Sequence, residues 1–243
     1  MSLPPPIAGS SRAAPSSWHP GLPAQAMLAL LAGGCGVQLL AEHWGRRALA
    51  LPGERERFAA LFDAAAFDRL AGRAQQLKAG FFDSQGWFLD LPILEAQIPR
   101  LLQAGMTICA GGLPEEGPLA DFLAACRAGL PQVARAQLNA YRSPQGKGFG
   151  LHFDNHPVMI LQVEGAKHWR YTPQPEALNA VTITMPPDRD VLKLPWGTLH
   201  RPGPERFEAL TLQPGDALYL PAGCWHEARA DTGGSLGVTL AMY

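Results

Sequence analysis

Cysteines and charged residues are scarce in this sequence. Only four of the 243 residues are cysteine, and charged residues make up 17% with a formal net charge of −1. No two cysteines form a C-x-x-C pair, and a disulfide framework needs denser and closer cysteines, so we expect reduced thiols in a cytoplasmic protein. The balanced charge offers no field to attract nucleic acid or an anionic membrane surface, and neither is expected as a partner.

Long hydrophobic runs and nucleotide-binding motifs are also missing. The most apolar run covers residues 27–41, is interrupted by glycines, and is too short to span a bilayer, so it predicts a buried helix. The first 25 residues carry three consecutive prolines and no basic start, unlike a secretory signal. The chain contains no P-loop, no G-x-G-x-x-G after a strand and no G-x-S-x-G elbow.

Hydrophobic residues, glycine and proline are abundant. Hydrophobic residues make up 47% of the chain, enough for a sizeable core. The 26 glycines and 23 prolines fit many turns between short strands. After about residue 131, short apolar or alternating runs are separated by turn signals, a pattern typical of an antiparallel barrel or a double-sheet jelly roll.

The sequence divides into three expected parts. Residues 1–25 are rich in Pro, Ser, Ala and Gly, which predicts either a flexible arm or a strap laid over the domain with Trp18 as its anchor. Residues 26–130 predict a helical region with edge strands that packs on the barrel. Residues 131–243 predict the barrel itself.

Four short segments have a definite expected conformation. Residues 121–129 predict a short helix closed by a glycine. The apolar runs at residues 87–89 and 106–109 predict edge strands. A turn at residues 164–165 is expected to join two strands in a hairpin.

The main chemical signal is an H-x-D triplet. His152 and Asp154 are two residues apart and face the same side of a strand. His226 follows a Pro-Ala-Gly turn near a late strand, which in a jelly roll can run beside the early one. Two imidazoles and one carboxylate on one face of a metal leave the opposite face open to substrate and oxygen, as in non-haem Fe(II) oxygenases. The alternative is a histidine that simply hydrogen-bonds an aspartate on a sheet.

A lysine follows the triplet in aromatic surroundings. Alternation places Lys167 on the same face as Trp169 and Tyr171. A lysine there is costly unless it is paired, and a dicarboxylate would pair it. A solvated surface lysine is the alternative.

Three further residues have open roles. His156 either supports the metal site and its pocket or only packs. His200 is placed in a loop between barrel strands, where it contacts substrate or is merely exposed. Cys224 is interpreted as a small apolar residue rather than a ligand.

The motifs together resemble the JmjC/cupin-like Fe(II)/2-oxoglutarate oxygenases, most closely the branch of ribosomal oxygenases. The likeness rests on the runs at residues 139–156, 161–169 and 212–227, and it extends upstream to 39–47 and 104–109. It implies a double-stranded β-helix preceded by an N-terminal helical region, that is, a mainly β fold with α.

The resemblance also implies cofactors and roles. Fe(II), 2-oxoglutarate as cosubstrate and O₂ are implied, with the metal held by His152, Asp154 and His226 as catalytic ligands. Lys167 matches the position that binds the far carboxylate of 2-oxoglutarate. Further residues fall in segments that line the cosubstrate pocket, or are ordinary strand residues: Asn139, Tyr141, Ser143, Ser235 and Thr239.

The expected reaction is hydroxylation of a C–H bond, with a peptide or small protein as the favoured substrate. One alternative is a small-molecule hydroxylase of the same chemistry, and another is a metal-binding cupin without catalytic activity. The sequence ends at Tyr243, so we expect the helical dimerisation and winged-helix modules of that branch to be missing, which leaves the oligomeric state open. Substrate identity is open as well.

Overall fold

The computed structural model describes residues 16–84, 86, 88–177 and 181–243. The interpretations of residues 1–15 and of Trp87 therefore fall outside the described part of the chain. Trp18, the expected anchor of a strap, is 1% exposed, and its ring meets Phe122 edge-on at a centroid distance of 5.2 Å. At Trp18 the chain is thus packed on the domain.

The helices are short and lie mostly in the first half of the chain. The α-helices are α1 (Met27–Ala32), α2 (Gly36–Gln38), α3 (Ala64–Leu70), α4 (Ile98–Gln103) and α5 (Pro118–Gly129). Short 3-10 turns cover Ala24–Ala26, Gly33–Cys35, Ala71–Arg73, Glu95–Gln97 and Pro204–Arg206, and a π turn covers Leu39–His43. The Asp63 carboxylate begins α3 by accepting a hydrogen bond from the Ala66 N–H at 2.6 Å. The helix predicted over residues 121–129 is confirmed as part of α5, which ends at Gly129.

The apolar run of residues 27–41 is divided among α1, α2 and the adjoining turns. Its side chains Met27, Leu30, Leu31 and Leu39 are buried in the main core. Among the described residues, no single helix is long and apolar enough to cross a membrane. The pair Ala24–Ala32 and Gly36–His43 meets the length and composition requirement only when taken together, across a bend of 97°.

Thirteen strands build the described part of the fold. They are β1 (Leu49–Leu51), β2 (Gln76–Phe82), β3 (Phe88–Pro92), β4 (Thr107–Gly111), β5 (Ala136–Ser143), β6 (Gly148–Phe153), β7 (Val158–Tyr171), β8 (Ile183–Thr184), β9 (Val191–Leu194), β10 (Gly197–His200), β11 (Glu208–Leu212), β12 (Ala217–Leu220) and β13 (His226–Met242). Eleven form one antiparallel sheet in the order β1-β12-β7-β13-β5-β4-β2-β3, with β11 on β7 and with β6 on both β13 and β8. The remaining two, β9 and β10, form a separate hairpin.

The 17-residue strand β13 holds the barrel together. It pairs with β6 at its start, with β7 along most of its length and with β5 toward its end. Strand β13 is thus shared by two sets of strands, with β6 beside its first residues and β5 beside its last, and the antiparallel arrangement with the helices before it agrees with the predicted jelly roll and N-terminal helical region. The pairing of β6 with β13 also brings the early metal strand beside the late one.

The region of residues 26–130 contains more sheet than the sequence suggested. It supplies β1 to β4, and β4 is not an edge strand, because it lies between β2 and β5. Strand β2 was not predicted. Leu77, Ala79 and Phe81 alternate along one of its faces, and only the first two belong to the main core or pack against it.

The hairpin expected at residues 164–165 is wrong. Strand β7 runs without interruption through Gly165, and its pairing with β13 shifts register there. Gly165 has a φ of 64°, and a Cβ on it would lie 2.1 Å from the Gly234 carbonyl oxygen. The glycine therefore permits a bulge and a close approach of two strands instead of a chain reversal.

Candidate metal centre and adjoining cavity

The three residues predicted as metal ligands meet where β6 ends and β13 begins. His226 is the first residue of β13 and lies opposite His152 in the antiparallel register. One possible ligand atom from each of His152, Asp154 and His226 lies within 4.8 Å of the other two. The histidine ring centroids are 4.1 Å apart, and Asp154 Oδ2 lies 3.7 Å from His226 Nε2. The fold thus assembles two imidazoles and one carboxylate around one point.

Backbone carbonyls fix both imidazoles in the orientation that a metal needs. His152 Nδ1 lies 2.7 Å from the Gly150 carbonyl oxygen, and His226 Nδ1 lies 2.9 Å from that of Cys224. A carbonyl only accepts hydrogen bonds, so each Nδ1 carries the proton and each Nε2 keeps its lone pair. Both Nε2 atoms are therefore available to a metal, and their ring orientation is already set.

The aspartate is oriented from a different part of the chain. The Thr182 hydroxyl donates to Asp154 Oδ1 at 3.3 Å, which leaves Oδ2 on the side of His226. Burial alone would raise the pKa of Asp154, but the nearby histidines, His152 above all, leave that pKa below its usual range. Burial, followed by the proximity of His152, lowers the pKa of His226. A carboxylate and a neutral imidazole are the forms that bind metal.

A cavity of about 510 Å³, including its mouth, extends from these ligands into the barrel. It is lined by the three ligands together with Tyr141, Phe149, Val158, Ile160, Gln162, Lys167, Trp169, Ala228, Gly237 and Thr239. Most of this lining is apolar or aromatic, so the few polar groups in it stand out as orienting groups for a bound molecule.

Lys167 is the buried cation of this cavity. Its side chain is on a residue only 4% exposed, and Nζ lies 3.3 Å from Ser143 Oγ and about 6 Å from the ring centres of Tyr141 and Trp169. Burial lowers the pKa of Lys167 to about 8, and the neighbouring Cys109 thiol opposes this effect only in part. Among the described residues, no carboxylate pairs with it. A buried ammonium without an anion is costly, so the cavity is built for a negatively charged group.

Of the other predicted pocket residues, the structure places two on the cavity wall and three outside it. Tyr141 and Thr239 line the cavity. Ser143 reaches it through Lys167 Nζ and also accepts a hydrogen bond from Thr107 Oγ1 at 3.1 Å. Ser235 lies opposite Ser143 in the sheet, and its buried hydroxyl has no partner among the described residues. Asn139 is outside the cavity lining.

Sequence reasoning missed two polar residues of the site. Gln162 is fully buried, and its Nε2 donates to the carbonyl oxygens of Glu164 and Gly165, each at 3.0 Å. It thus holds the bulge of β7, which precedes Lys167. A glutamine inside the apolar run of residues 158–163 was the available signal. Thr182 had no such signal, because it is far along the chain from Asp154.

The three residues with open roles are placed as follows. His156 is not one of the clustered ligands, and its ring packs on Tyr243 at a centroid distance of 4.5 Å. His200 is exposed and lies on β10, so the expectation of a loop is wrong there. Cys224 is buried in a small apolar cluster, as expected for an apolar packing residue.

A larger hollow, called the groove below, shares His152 and Asp154 with the cavity. Its volume is about 1190 Å³ including the open mouth. Its other lining residues are Gln75, Gln76, Lys78, Phe88, Asp90, Cys109, Gly111, Gly112, Gln137, Asn139, Tyr141, Phe149, Thr182, Thr184 and Tyr243. Asn139 is one of these, and its Oδ1 accepts hydrogen bonds from the Gly112 N–H at 2.8 Å and from Gln137 Nε2 at 3.2 Å. The metal centre is therefore reached from two spaces.

Comparison with solved structures supports this architecture. Escherichia coli ribosomal oxygenase YcfD, whose structure has been solved in complex with cobalt and 2-oxoglutarate, superposes with a TM-score of 0.59 at 20% identity. The match covers 85% of this chain and 51% of that one. The same protein in complex with cobalt and succinic acid gives the same values. At this level of identity the likeness establishes the fold.

Curated relatives are similar over less than half of this chain. The histidyl-hydroxylase and lysine-specific demethylase NO66 of Culex quinquefasciatus is 35% identical over 103 residues, 41% of this chain and 14% of that protein. Ribosomal oxygenase 2 of Bos taurus is 38% identical over 109 residues, 43% of this chain and 21% of that protein. The match thus spans about a fifth or less of either relative. The JmjC domain matches residues 121–243, which include the metal centre, Lys167 and the cavity, and this chain belongs to the JmjC domain family.

Proposed function

We propose that the protein is an Fe(II)- and 2-oxoglutarate-dependent dioxygenase that hydroxylates a C–H bond of a peptide or protein side chain. One observation carries the proposal. A single cavity holds both a cluster of two histidines and one aspartate and a buried lysine without a carboxylate partner. A 2-oxo acid that chelates the metal at one end and carries a second carboxylate at the other satisfies both features.

Different residues of the cavity would bind the metal and the two ends of such a cosubstrate. His152, Asp154 and His226 would hold the metal through two Nε2 atoms and Oδ2. Lys167 would pair with the far carboxylate, with Ser143 beside it. The metal complexes of YcfD with 2-oxoglutarate and with succinic acid support this assignment by likeness of fold.

When bound, the metal supplies the oxidation chemistry. One O₂ and one 2-oxoglutarate are consumed, one oxygen atom enters succinate as CO₂ leaves, and the other enters the substrate C–H bond as a hydroxyl group. The chain itself orients the ligands, neutralises the far carboxylate and excludes water with the apolar walls of the cavity. Turnover therefore depends on these residues being in place before substrate arrives.

The groove supports a polypeptide as the substrate. It reaches the metal ligands from outside the cavity and is larger than the cavity. Curated relatives are described as a histidyl-hydroxylase and a ribosomal oxygenase, which makes histidine-containing peptides the first candidates. The formal net charge of −1 gives no general attraction to a strongly basic protein.

The test is intact-mass analysis of a peptide panel. The enzyme is incubated with Fe(II), 2-oxoglutarate and 20-residue histidine-containing peptides from ribosomal proteins, and the gain of one oxygen atom is measured together with succinate release. Hydroxylation of a panel peptide supports the proposal. Oxidation of only a free amino acid or another metabolite would replace it with small-molecule hydroxylation. Metal binding without any succinate release would indicate a non-catalytic cupin.

The affinity for 2-oxoglutarate is expected to fall at alkaline pH. The pKa of Lys167 is lowered to about 8 by burial, so the free protein loses the cationic form as pH rises through that value. Binding the dianion then requires proton uptake, and Kd rises toward tenfold per pH unit above the pKa while staying flat below it.

Calorimetric titrations from about pH 7 to about pH 9.5 measure this effect, with Lys167→Arg as the control because arginine stays charged over this range. Burying the Lys167 ammonium also lowers the free energy of unfolding of the unliganded protein. This destabilisation is complete below the pKa of about 8 that Lys167 has in the folded protein, and it decreases as pH rises above that value. If the Kd for 2-oxoglutarate changes with pH in the same way in the parent and in the arginine variant, Lys167 is not the cation that pairs with the far carboxylate.

A further inference from the structure

Strand β3 ends the main sheet beside the groove. It pairs with β2 on one side, and no other described strand pairs with its outer edge. Phe88 and Asp90 line the groove, whereas Leu89 and Leu91 point to the opposite face and are 43% and 41% exposed. An exposed edge with apolar side chains is a template for strand addition.

The backbone register shows which groups of β3 face outward. The Ile93 N–H donates to the Leu77 carbonyl oxygen at 3.1 Å. In an antiparallel pair the hydrogen-bonded positions alternate, so Leu91 and Leu89 also bond to β2. The N–H and C=O groups of Phe88 and Asp90 then point away from the sheet. The third outward position is Pro92, which has no N–H to leave unpaired.

The start of β3 is fixed directly against the strand that carries His152. Phe88 packs over two glycines, and a Cβ on Gly80 or Gly150 would come within 2.3 Å or 2.6 Å of its atoms. Its ring lies 4.6 Å from that of Phe149, which in turn lies 6.0 Å from the ring of His152. A chain aligned along β3 is therefore guided toward the metal centre.

We propose that an extended segment of the polypeptide substrate adds to the outer edge of β3 as a further strand. This inference rests on the proposed function and names the docking mode. The backbone of the segment pairs with Phe88 and Asp90, and every second side chain points into the groove. The target side chain reaches the metal past Phe88.

The groove defines the chemistry of this segment. Apart from the metal ligands, its charged side chains are Lys78 and Asp90, and they neutralise each other at 3.2 Å. The remaining polar lining consists mainly of amides and hydroxyls: Gln75, Gln76, Gln137, Asn139, Tyr141, Thr182, Thr184 and Tyr243. Such a surface favours a segment with uncharged side chains toward the groove and apolar ones toward Leu89 and Leu91.

A second copy of the chain is a poorer occupant of the same edge. Two β3 strands paired over their full length about a two-fold axis would place one Asp90 directly opposite the other, because Asp90 is the middle residue of the strand. Like charges directly opposite each other destabilise a strand pair. A substrate strand has no such constraint.

A proline substitution at Asp90 tests the docking mode. Of the backbone hydrogen-bonding groups, Asp90→Pro removes only an outward N–H, so the bonds to β2 remain, and Pro92 shows that this edge accommodates proline. Asp90→Ala is the matched control, because it also lacks the carboxylate but keeps the N–H. We expect the KM for the best peptide of the panel to be at least about tenfold higher in the proline variant than in the alanine variant. Calorimetric binding of Mn²⁺ and 2-oxoglutarate checks the fold of both.

A second measurement uses the parent enzyme and avoids any folding defect. Versions of the same peptide are N-methylated at one backbone amide each. Strand addition predicts loss of hydroxylation at alternate amides along the segment, a period of two. Equal KM values for both Asp90 variants together with no alternation would overturn the inference and leave the hydroxylase function intact. A β3-dependent dimer measured by light scattering would overturn it in favour of a second copy. A parent enzyme that hydroxylates no peptide overturns the proposed substrate class as well.

Discussion

Replacing His226 with alanine is expected to abolish metal binding and turnover while leaving the barrel folded. The substitution removes one of three ligands and leaves two, and loss of even a supporting contact to a ligand costs 10- to 100-fold in metal affinity. We therefore expect at least about a 100-fold loss for a ligand itself. His226 is the first residue of β13, and the pairing of that strand uses its backbone. Anaerobic calorimetry with Fe(II), or with Mn²⁺ in its place, measures the affinity.

The matched control is His156→Ala. His156 is also a histidine near the metal, but it is outside the ligand cluster and packs against Tyr243. Its replacement is expected to retain metal binding, and circular dichroism should show the same fold for both variants. An unchanged affinity in His226→Ala, or an equal loss in both variants, would show that the metal is held elsewhere.

The ligand cluster was predictable because it depends on short-range geometry. His152 and Asp154 share a face by the two-residue period of a strand, and the turn before His226 marks where a late strand begins. Each histidine is also oriented by the carbonyl two residues before it, so the supporting contacts are local in sequence. The class of fold followed from the spacing of turns.

Contacts between distant segments were not predictable in the same way. Nothing near Thr182 in sequence indicates that its hydroxyl reaches Asp154. Asn139 shares the alternation of Tyr141 on β5, yet the amide is turned to Gly112 in the groove. The conformation at Gly165 likewise depends on the close approach of Gly234 from another strand. A Glu-Gly pair in the sequence is compatible with both a bulge and a hairpin turn, so the sequence alone does not distinguish them.

Removing the Lys167 charge is expected to cost most of the affinity for 2-oxoglutarate. Lys167→Ala should lose about 2–4 kcal/mol, the cost of leaving a desolvated charge without its partner, which corresponds to about 30- to 1000-fold in Kd. Lys167→Met should lose as much, because methionine restores part of the volume but not the charge. Metal binding should be retained in both, since the metal ligands are other residues.

A ligand that lacks the second carboxylate tests whether Lys167→Ala loses affinity because the charge pair is gone or because the substitution changes the shape of the cavity. 2-Oxopentanoate keeps the chelating end and replaces the far carboxylate with a methyl group. The parent should bind 2-oxopentanoate about as weakly as Lys167→Ala binds 2-oxoglutarate. The variant should bind the two ligands with nearly equal affinity, because the interaction energy requires both the lysine and the far carboxylate. If Lys167→Ala binds 2-oxoglutarate as well as the parent does, the far carboxylate lies elsewhere, and Tyr141 on the cavity wall and Asn139 in the groove are the next residues to replace. The buried ammonium would then still need a different anion, since nothing else in the described cavity neutralises it.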